Sequence, residues 1–197
     1  MSSPPQIYLA SRSPRRAILL RTLGVAFSLA DVEVDEVVSA GESVTTYVAR
    51  LALAKAAAGR AATNKRLPVL AADTTVVIDD EILGKPRDST DAIRILRRLA
   101  NRWHDVYTAV VVFGATQTCR VVRTRVKFRA LADAEIAAYW ASGEPADKAG
   151  AYGIQGLGGA LVERIDGSYS NVVGLPLVET LELLNLHGIA HQLALRR

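Results

Sequence analysis

Short apolar runs with strand character alternate with amphipathic helical stretches along almost the whole chain of 197 residues. That alternation leaves few architectures open, because striped helices and apolar strands must bury those surfaces against each other in layers. Residues 6–10 read as a strand. A helix follows, with Ser13 placed as N-cap, Pro14 as first helical residue, Ile18, Leu19, Leu20 and Leu23 as apolar face, and Gly24 as stop. Residues 31–38 are acidic and extended or looped, and 43–59 form a long helix. A buried strand over 69–72 ends at Asp73, 75–78 continues extended, and Asp79-Asp80 turns. Asp88 or Ser89 caps a helix through Leu99 with Ile93 and Leu96 inside. Residues 106–113 and 121–128 pair antiparallel around Gly114, and 133–141 is a helix. A glycine-rich loop (150–159), a strand (160–165) and a final helix (176–186) complete the chain. With neither repeat nor linker, the expectation is one α/β domain over 1–197. It has a mixed sheet, flanking helices and two lobes around a groove, with loose ends at 1–5 and 191–197.

Half the residues are hydrophobic and 22% are charged, as in folded soluble proteins. A net charge of +4 suits either nucleic acid or a small polyanion such as a triphosphate. No run of five basic residues occurs, and Arg94, Arg97, Arg98 and Arg102 read as a solvated helix face. The balance favours the small polyanion over nucleic acid. Cys119 is the only cysteine, which excludes an internal disulfide. His104, His187 and His191 are the only histidines, a poor supply for a histidine triad or metal cluster. There is no signal-peptide pattern and no apolar run approaching the ~20 residues of a membrane span, so a cytoplasmic location is expected.

Several segments offer chemistry. Ser13-Pro14-Arg15-Arg16 follows a strand and opens a helix, where free backbone N–H groups and the dipole favour an anion. Two arginines there either are solvated beside an ordinary cap or meet phosphate oxygens with their guanidinium forks. Val44, Val48, Leu51 and Lys55 share one helical stripe. Lys55 therefore either snorkels to solvent or points into a charged pocket. Asp73 follows an apolar strand, at the kind of carboxyl end where α/β sheets collect ligands, unless it serves an Asx-turn. Asp35 or Glu36 could join it in holding a magnesium-like cation through oxygen, or the pair is plain surface. Gly84-Lys85-Pro86 is not a phosphate loop, because Pro86 replaces the required hydroxyl residue and no glycine stands five residues earlier. The run from Gly153 to Gly159 lacks the dinucleotide spacing, yet it lets backbone approach a ligand closely and exposes Gln155.

Together these segments resemble the Maf family of nucleotide pyrophosphatases. The match runs from about Ile7 to Gly188. It rests on Ser11-Arg12-Ser13-Pro14-Arg15-Arg16, Val34-Asp35-Glu36, Leu53-Ala54-Lys55, Ala72-Asp73-Thr74, Gly84-Lys85-Pro86, Ser142-Gly143-Glu144-Pro145, the stretch from Asp147 to Gly156, and Gly174-Leu175-Pro176. The resemblance implies a fold like that of inosine triphosphate pyrophosphatases, with a deep cleft between two lobes. It also implies cleavage between the α- and β-phosphates with a divalent metal, magnesium or manganese. Asp73 would accept the proton and share the metal with Glu36. Ser13, Arg16, Lys55 and Lys85 would contact phosphates. The sequence looks like the branch acting on dTTP and UTP, in which Arg15, Thr74 and Gln155 tune base choice. A role in clearing modified nucleotides or in cell-division arrest, and a homodimer, belong to the same expectation.

Uracil and thymine present acceptor, donor and acceptor along one edge, and the Gln155 amide carries both a donor and an acceptor to match. The competing class is a nucleotide or nucleic-acid binder without catalysis. A carboxylate at Asp73 among Lys55 and Lys85 counts against it, since a mere binder gains nothing from an anion beside phosphates.

Overall fold

The computed structural model describes residues 4–63 and 66–194. Strand β1 (Ile7–Ala10) leads into α1 (Pro14–Thr22). Proline fits the first helical turn, where a missing N–H costs nothing. Strand β2 (Phe27–Leu29) follows, too short to show a period in sequence. Helix α2 (Val44–Ala62) starts at Ser43, whose side chain accepts the Thr46 N–H.

Strand β3 (Val69–Ile78) is one continuous ten-residue strand, buried at every position but one. Asp73 therefore lies in its middle, not at its end as the sequence suggested. Asp79 and Asp80, both at positive φ (52° and 60°), turn β3 onto β4 (Glu81–Leu83) with Ile78 opposite Glu81. Two consecutive left-handed residues make the two-residue hairpin turn whose twist matches the flanking strands.

Helix α3 (Ser89–Leu99) is capped by Asp88, which accepts the Asp91 N–H. It buries Ala92, Ile95, Leu96 and Leu99. Arg94, Arg97, Arg98 and Arg102 each hold a carboxylate: Asp91, Asp133, Glu81 and Asp79 respectively. That is a paired surface, with little energy in any one pair.

Strands β5 (Trp103–Phe113) and β6 (Gln117–Phe128) extend further than the sequence pattern indicated. Helix α4 (Asp133–Ala141) falls at the expected positions. After it come short 3₁₀ turns between Glu144 and Leu161, then β7 (Val162–Asp166), α5 (Tyr169–Val173) and α6 (Leu177–Leu186).

Among the described residues the strands form one mixed sheet in the order β2-β1-β3-β5-β6-β7, with β4 on β3. The β1–β2 and β1–β3 pairs are parallel, while β3–β4 and β6–β7 are antiparallel. The chain divides into two compact units. The first takes residues up to Asp73, Thr108–Val122 and from Gly174 onward; the second takes Thr74–Tyr107 and Arg123–Val173. The first buries Ile7, Leu9, Leu20, Val48, Leu51, Leu70 and Leu183. The second has its own core of Ile95, Leu96, Leu99, Phe128, Ile136 and Tyr152.

Residues 191–194 carry hydrogen bonds to the rest of the first unit. Gln192 N–H donates to Leu23 O at 2.9 Å, and His191 Nε2 lies 2.9 Å from Asn185 Oδ1. Pro4 and Pro5 are exposed and irregular. Residues 1–3 and 195–197 lie outside the described residues. No helix among the described residues is long and apolar enough to cross a membrane.

Candidate active site

In the first unit the parallel register places the chemistry. Ala10, the last residue of β1, pairs with Ala71, so Asp73 stands two residues beyond the end of its partner strand. The open strand end that the sequence assigned to β3 belongs to β1 and β2. The segments that leave those two ends are Ser11–Ser13 and the acidic stretch from Asp31. Loops leaving the carboxyl ends of parallel strands are where such sheets gather ligands.

Lys55 rises from α2 to meet this point. Its Nζ lies 2.6 Å from Asp73 Oδ1 and 2.8 Å from Glu36 Oε1. The lysine side chain is 14% exposed and that of Asp73 8%, whereas Glu36 is 45% exposed. Of the two fates open to Lys55, the structure takes the charged pocket. Glu36 is selected over Asp35 by its surroundings. Tyr47 donates its hydroxyl to Glu36 O at 2.9 Å, and Arg50 grips Val37 O and Glu42. The Asp35 carboxylate turns back to accept the Val37 N–H at 3.1 Å. Burial, with the charges of Asp73 and Glu36 adding to it, pushes the Tyr47 phenol up to about 12. It stays a neutral donor.

The helix start is arranged differently from a simple cap. Ser13 occupies the N-cap position, but its side chain makes no capping bond. Ser11 Oγ instead accepts the Ser13 N–H at 3.1 Å and an Arg16 guanidinium N–H at 3.3 Å. Arg16 also donates Nε–H to Gly174 O at 2.8 Å. Its guanidinium is therefore fixed rather than solvated. Burial lowers its pKa, and the carboxylates of Asp73 and Glu36 work in the opposite direction. Ser11 and Gly174 are thus site-building residues that a search for charged side chains passes over. The visible signal for Ser11 was a hydroxyl two residues before a helix start, a common local turn. Arg15 is partly buried in the same first turn.

Thr74, Lys85 and Gln155 belong to the second unit. Thr74 directly follows Asp73 on β3 and is partly buried. Lys85 and Gln155 are exposed. Their two segments meet, because Gly150 N–H donates to Gly84 O at 3.1 Å. The glycines after Gly153 have close neighbours on the side where a Cβ would stand. A Cβ on Gly156 would fall 2.1 Å from Glu144 Oε2, and one on Gly158 2.4 Å from the Tyr139 hydroxyl oxygen. The space beside both is filled by the protein's own side chains.

Two carboxylates converging within 2.8 Å of one cationic nitrogen make a hard-oxygen pair suited to a divalent cation. Among the described residues no group of three or more His, Cys, Asp or Glu gathers. Two protein carboxylates with substrate oxygens completing the shell is the usual manner of magnesium binding.

The family model described as "Maf-like protein" matches residues 6–187. A protein of Methylobacillus flagellatus named "dTTP/UTP pyrophosphatase" is 54% identical over 187 residues, 94% of each chain. One of the same name from Escherichia coli O157:H7 is 55% identical over 181 residues, 91% of each. A solved HAM1 protein from Coxiella burnetii is 18% identical with a TM-score of 0.46, over 64% of this chain and 73% of that one. With a family model spanning nearly the whole sequence and relatives sharing more than half of its residues, this chain belongs to the Maf-like protein family.

Proposed function

We propose that this protein hydrolyses nucleoside triphosphates to the monophosphate and pyrophosphate, with dTTP and UTP as its substrates. The observation that carries the reading is the Asp73–Lys55–Glu36 cluster beside the fixed Arg16 guanidinium. The names of the relatives support it.

In this reading a water oxygen bonds to the α-phosphorus as the bridge to the β-phosphorus breaks. Asp73 takes the water proton as general base and later returns it to solvent, while pyrophosphate leaves with the bridging oxygen. Lys55, Arg16 and Lys85 meet the charge that builds on the phosphate oxygens, and preorganised cations do this without reorganising during the step. Ser13 lends its hydroxyl and the first-turn N–H groups of α1 to the same oxygens. Asp73 and Glu36 are the residues that would hold a magnesium or manganese ion, which when bound neutralises phosphate charge. Gln155 pairs with N3–H and O4 of the base, with Arg15 and Thr74 supplying further donors.

Cytosine reverses the donor and acceptor at those two atoms, so a hydrogen-bonded site rejects it strongly. The test is pyrophosphate release from UTP, dTTP, CTP and GTP with magnesium. UTP and dTTP should lead CTP by at least about tenfold in kcat/KM. Absence of pyrophosphate, or equal rates for CTP and UTP, would overturn the reading.

A further inference from the structure

Gln155 sits at a turn with few anchors of its own. It follows Ile154 in a tight turn closed by Gly156 N–H donating to Gly153 O at 3.2 Å, and its side chain is exposed. An exposed glutamine followed by a glycine has many conformations open to it, and ordering them is costly. Selectivity by hydrogen bonds needs the opposite, a group held in place before the ligand arrives.

The anchor is Glu144. Its Oε1 accepts the Tyr139 hydroxyl at 2.8 Å and Gly158 N–H at 3.0 Å. Its Oε2 accepts Leu157 N–H at 2.8 Å. The Tyr139 oxygen in turn accepts Gly153 N–H at 3.0 Å. The turn bearing Gln155 is thus gripped on its upstream side through Tyr139 and on its downstream side by the carboxylate itself. Lys148 closes the arrangement from behind by donating to Glu144 O at 2.6 Å. The positions of Gly156 and Gly158 leave no room for a Cβ because this clamp lies against them. Charge-assisted bonds to a carboxylate are about twice as strong as neutral ones, and three groups share this one.

We propose that Glu144 is the positioning residue for base selection, acting through Gly153, Leu157 and Gly158 to fix the turn that presents Gln155. It touches no reacting atom. The proposal rests on the reading of Gln155 as the group that meets the base.

The experiment measures kcat and KM for UTP and CTP, with magnesium, on wild type, Gln155→Ala, Glu144→Ala, Glu144→Gln and Glu135→Gln. Backbone amide exchange at Leu157 and Gly158 is followed alongside. Glu144→Gln keeps size and one acceptor but turns an amide donor toward a backbone donor, so it serves where Glu144→Ala fails to fold. Glu135 caps α4 by accepting Ala132 N–H and binding Arg129, and it controls for a merely structural carboxylate. The expected result is a fall of about tenfold in the UTP-to-CTP ratio for both Glu144 variants, mainly through a higher KM for UTP. Exchange at Leu157 and Gly158 should speed up on the order of tenfold. Glu135→Gln should leave the ratio unchanged. Folded Glu144 variants that keep the wild-type ratio, while Gln155→Ala loses it, would overturn the proposal and leave the role of Gln155 standing. A Gln155→Ala enzyme with the wild-type ratio would overturn both.

Discussion

Lys55 Nζ stands 2.6 Å from Asp73 Oδ1 and 2.8 Å from Glu36 Oε1, one ammonium joining two carboxylates that reach it from separate stretches of chain. Asp73 is the buried member and Glu36 the exposed one, so the lysine can release Glu36 to water without stranding a charge. Asp73→Asn keeps the shape and removes the base. Its kcat for pyrophosphate release should fall by at least about 100-fold, the scale of general-base catalysis. Near-normal turnover in a folded Asp73→Asn protein would remove Asp73 from that role.

Removing Lys55 should also cost stability. Lys55→Met leaves the Asp73 carboxylate buried without its ammonium. Breaking a fully buried pair costs about 3–5 kcal/mol. Partial exposure of this site should reduce that to about 2 kcal/mol. The double variant Lys55→Met/Asp73→Asn should recover most of the loss in urea unfolding, yet remain inactive. A single variant as stable as wild type would show that the pair contributes nothing to folding.

Glu36 is exposed, so Glu36→Gln should change stability by less than about 0.5 kcal/mol. Removing one charged oxygen ligand should raise the magnesium concentration for half-maximal rate by about tenfold. A magnesium titration that superimposes on wild type would place the cation elsewhere.

His104 is buried, with its Nδ1 lacking a hydrogen-bond partner among the described residues and its Nε2 2.9 Å from the Tyr152 hydroxyl. Burial pulls its pKa from 6.5 down to about 4, with Asp105 acting weakly the other way. Between those values the unfolded chain binds a proton that the folded chain refuses. Its contribution is therefore intact above pH 6.5 and is lost as pH falls toward 4, by roughly 3 kcal/mol in all. Urea midpoints at pH 7 and pH 4.5 should differ less in His104→Gln than in wild type. Equal differences would assign the acid sensitivity to other groups.

Glu144 is the acidic counterpart. Burial would raise its pKa, but the bonds from Gly158, Tyr139 and Leu157 outweigh that and hold it below the ordinary value. The clamp is therefore complete above the usual carboxylate range and opens as pH falls through the lowered value. UTP-to-CTP discrimination should decline at acid pH before wild-type turnover is lost to unfolding. Discrimination that stays constant down to the unfolding limit would detach the clamp from selectivity.

Local chemistry determined the helices. Pro14 after Ser13, Asp88 before α3 and the pattern over Asp133–Ala141 act within a few residues, so they read directly from sequence. Asp73 and Lys55 stood out locally, as a carboxylate after an apolar run and a lysine on an apolar stripe, whereas Glu36 and Arg16 were singled out by the family resemblance. The two three-residue strands, β2 and β4, carry too few residues for a period and exist only through their partners. Asp73 resembled a strand end because polar residues interrupt the apolar run there. Its true setting depends on β1 stopping opposite Ala71. The choice of Glu36 over Asp35 depends on Tyr47 and Arg50, 11 and 13 residues from the backbone oxygens they bind. The glycines after Gly153 looked like access for a ligand, and nothing local shows that Glu144 and Tyr139 stand where a Cβ on Gly156 or Gly158 would lie. A residue's type and its near neighbours set what it can bond to. Which partner arrives within 3 Å is decided by strand register and helix packing, which bring together groups 10 to 20 residues apart and leave no local pattern behind.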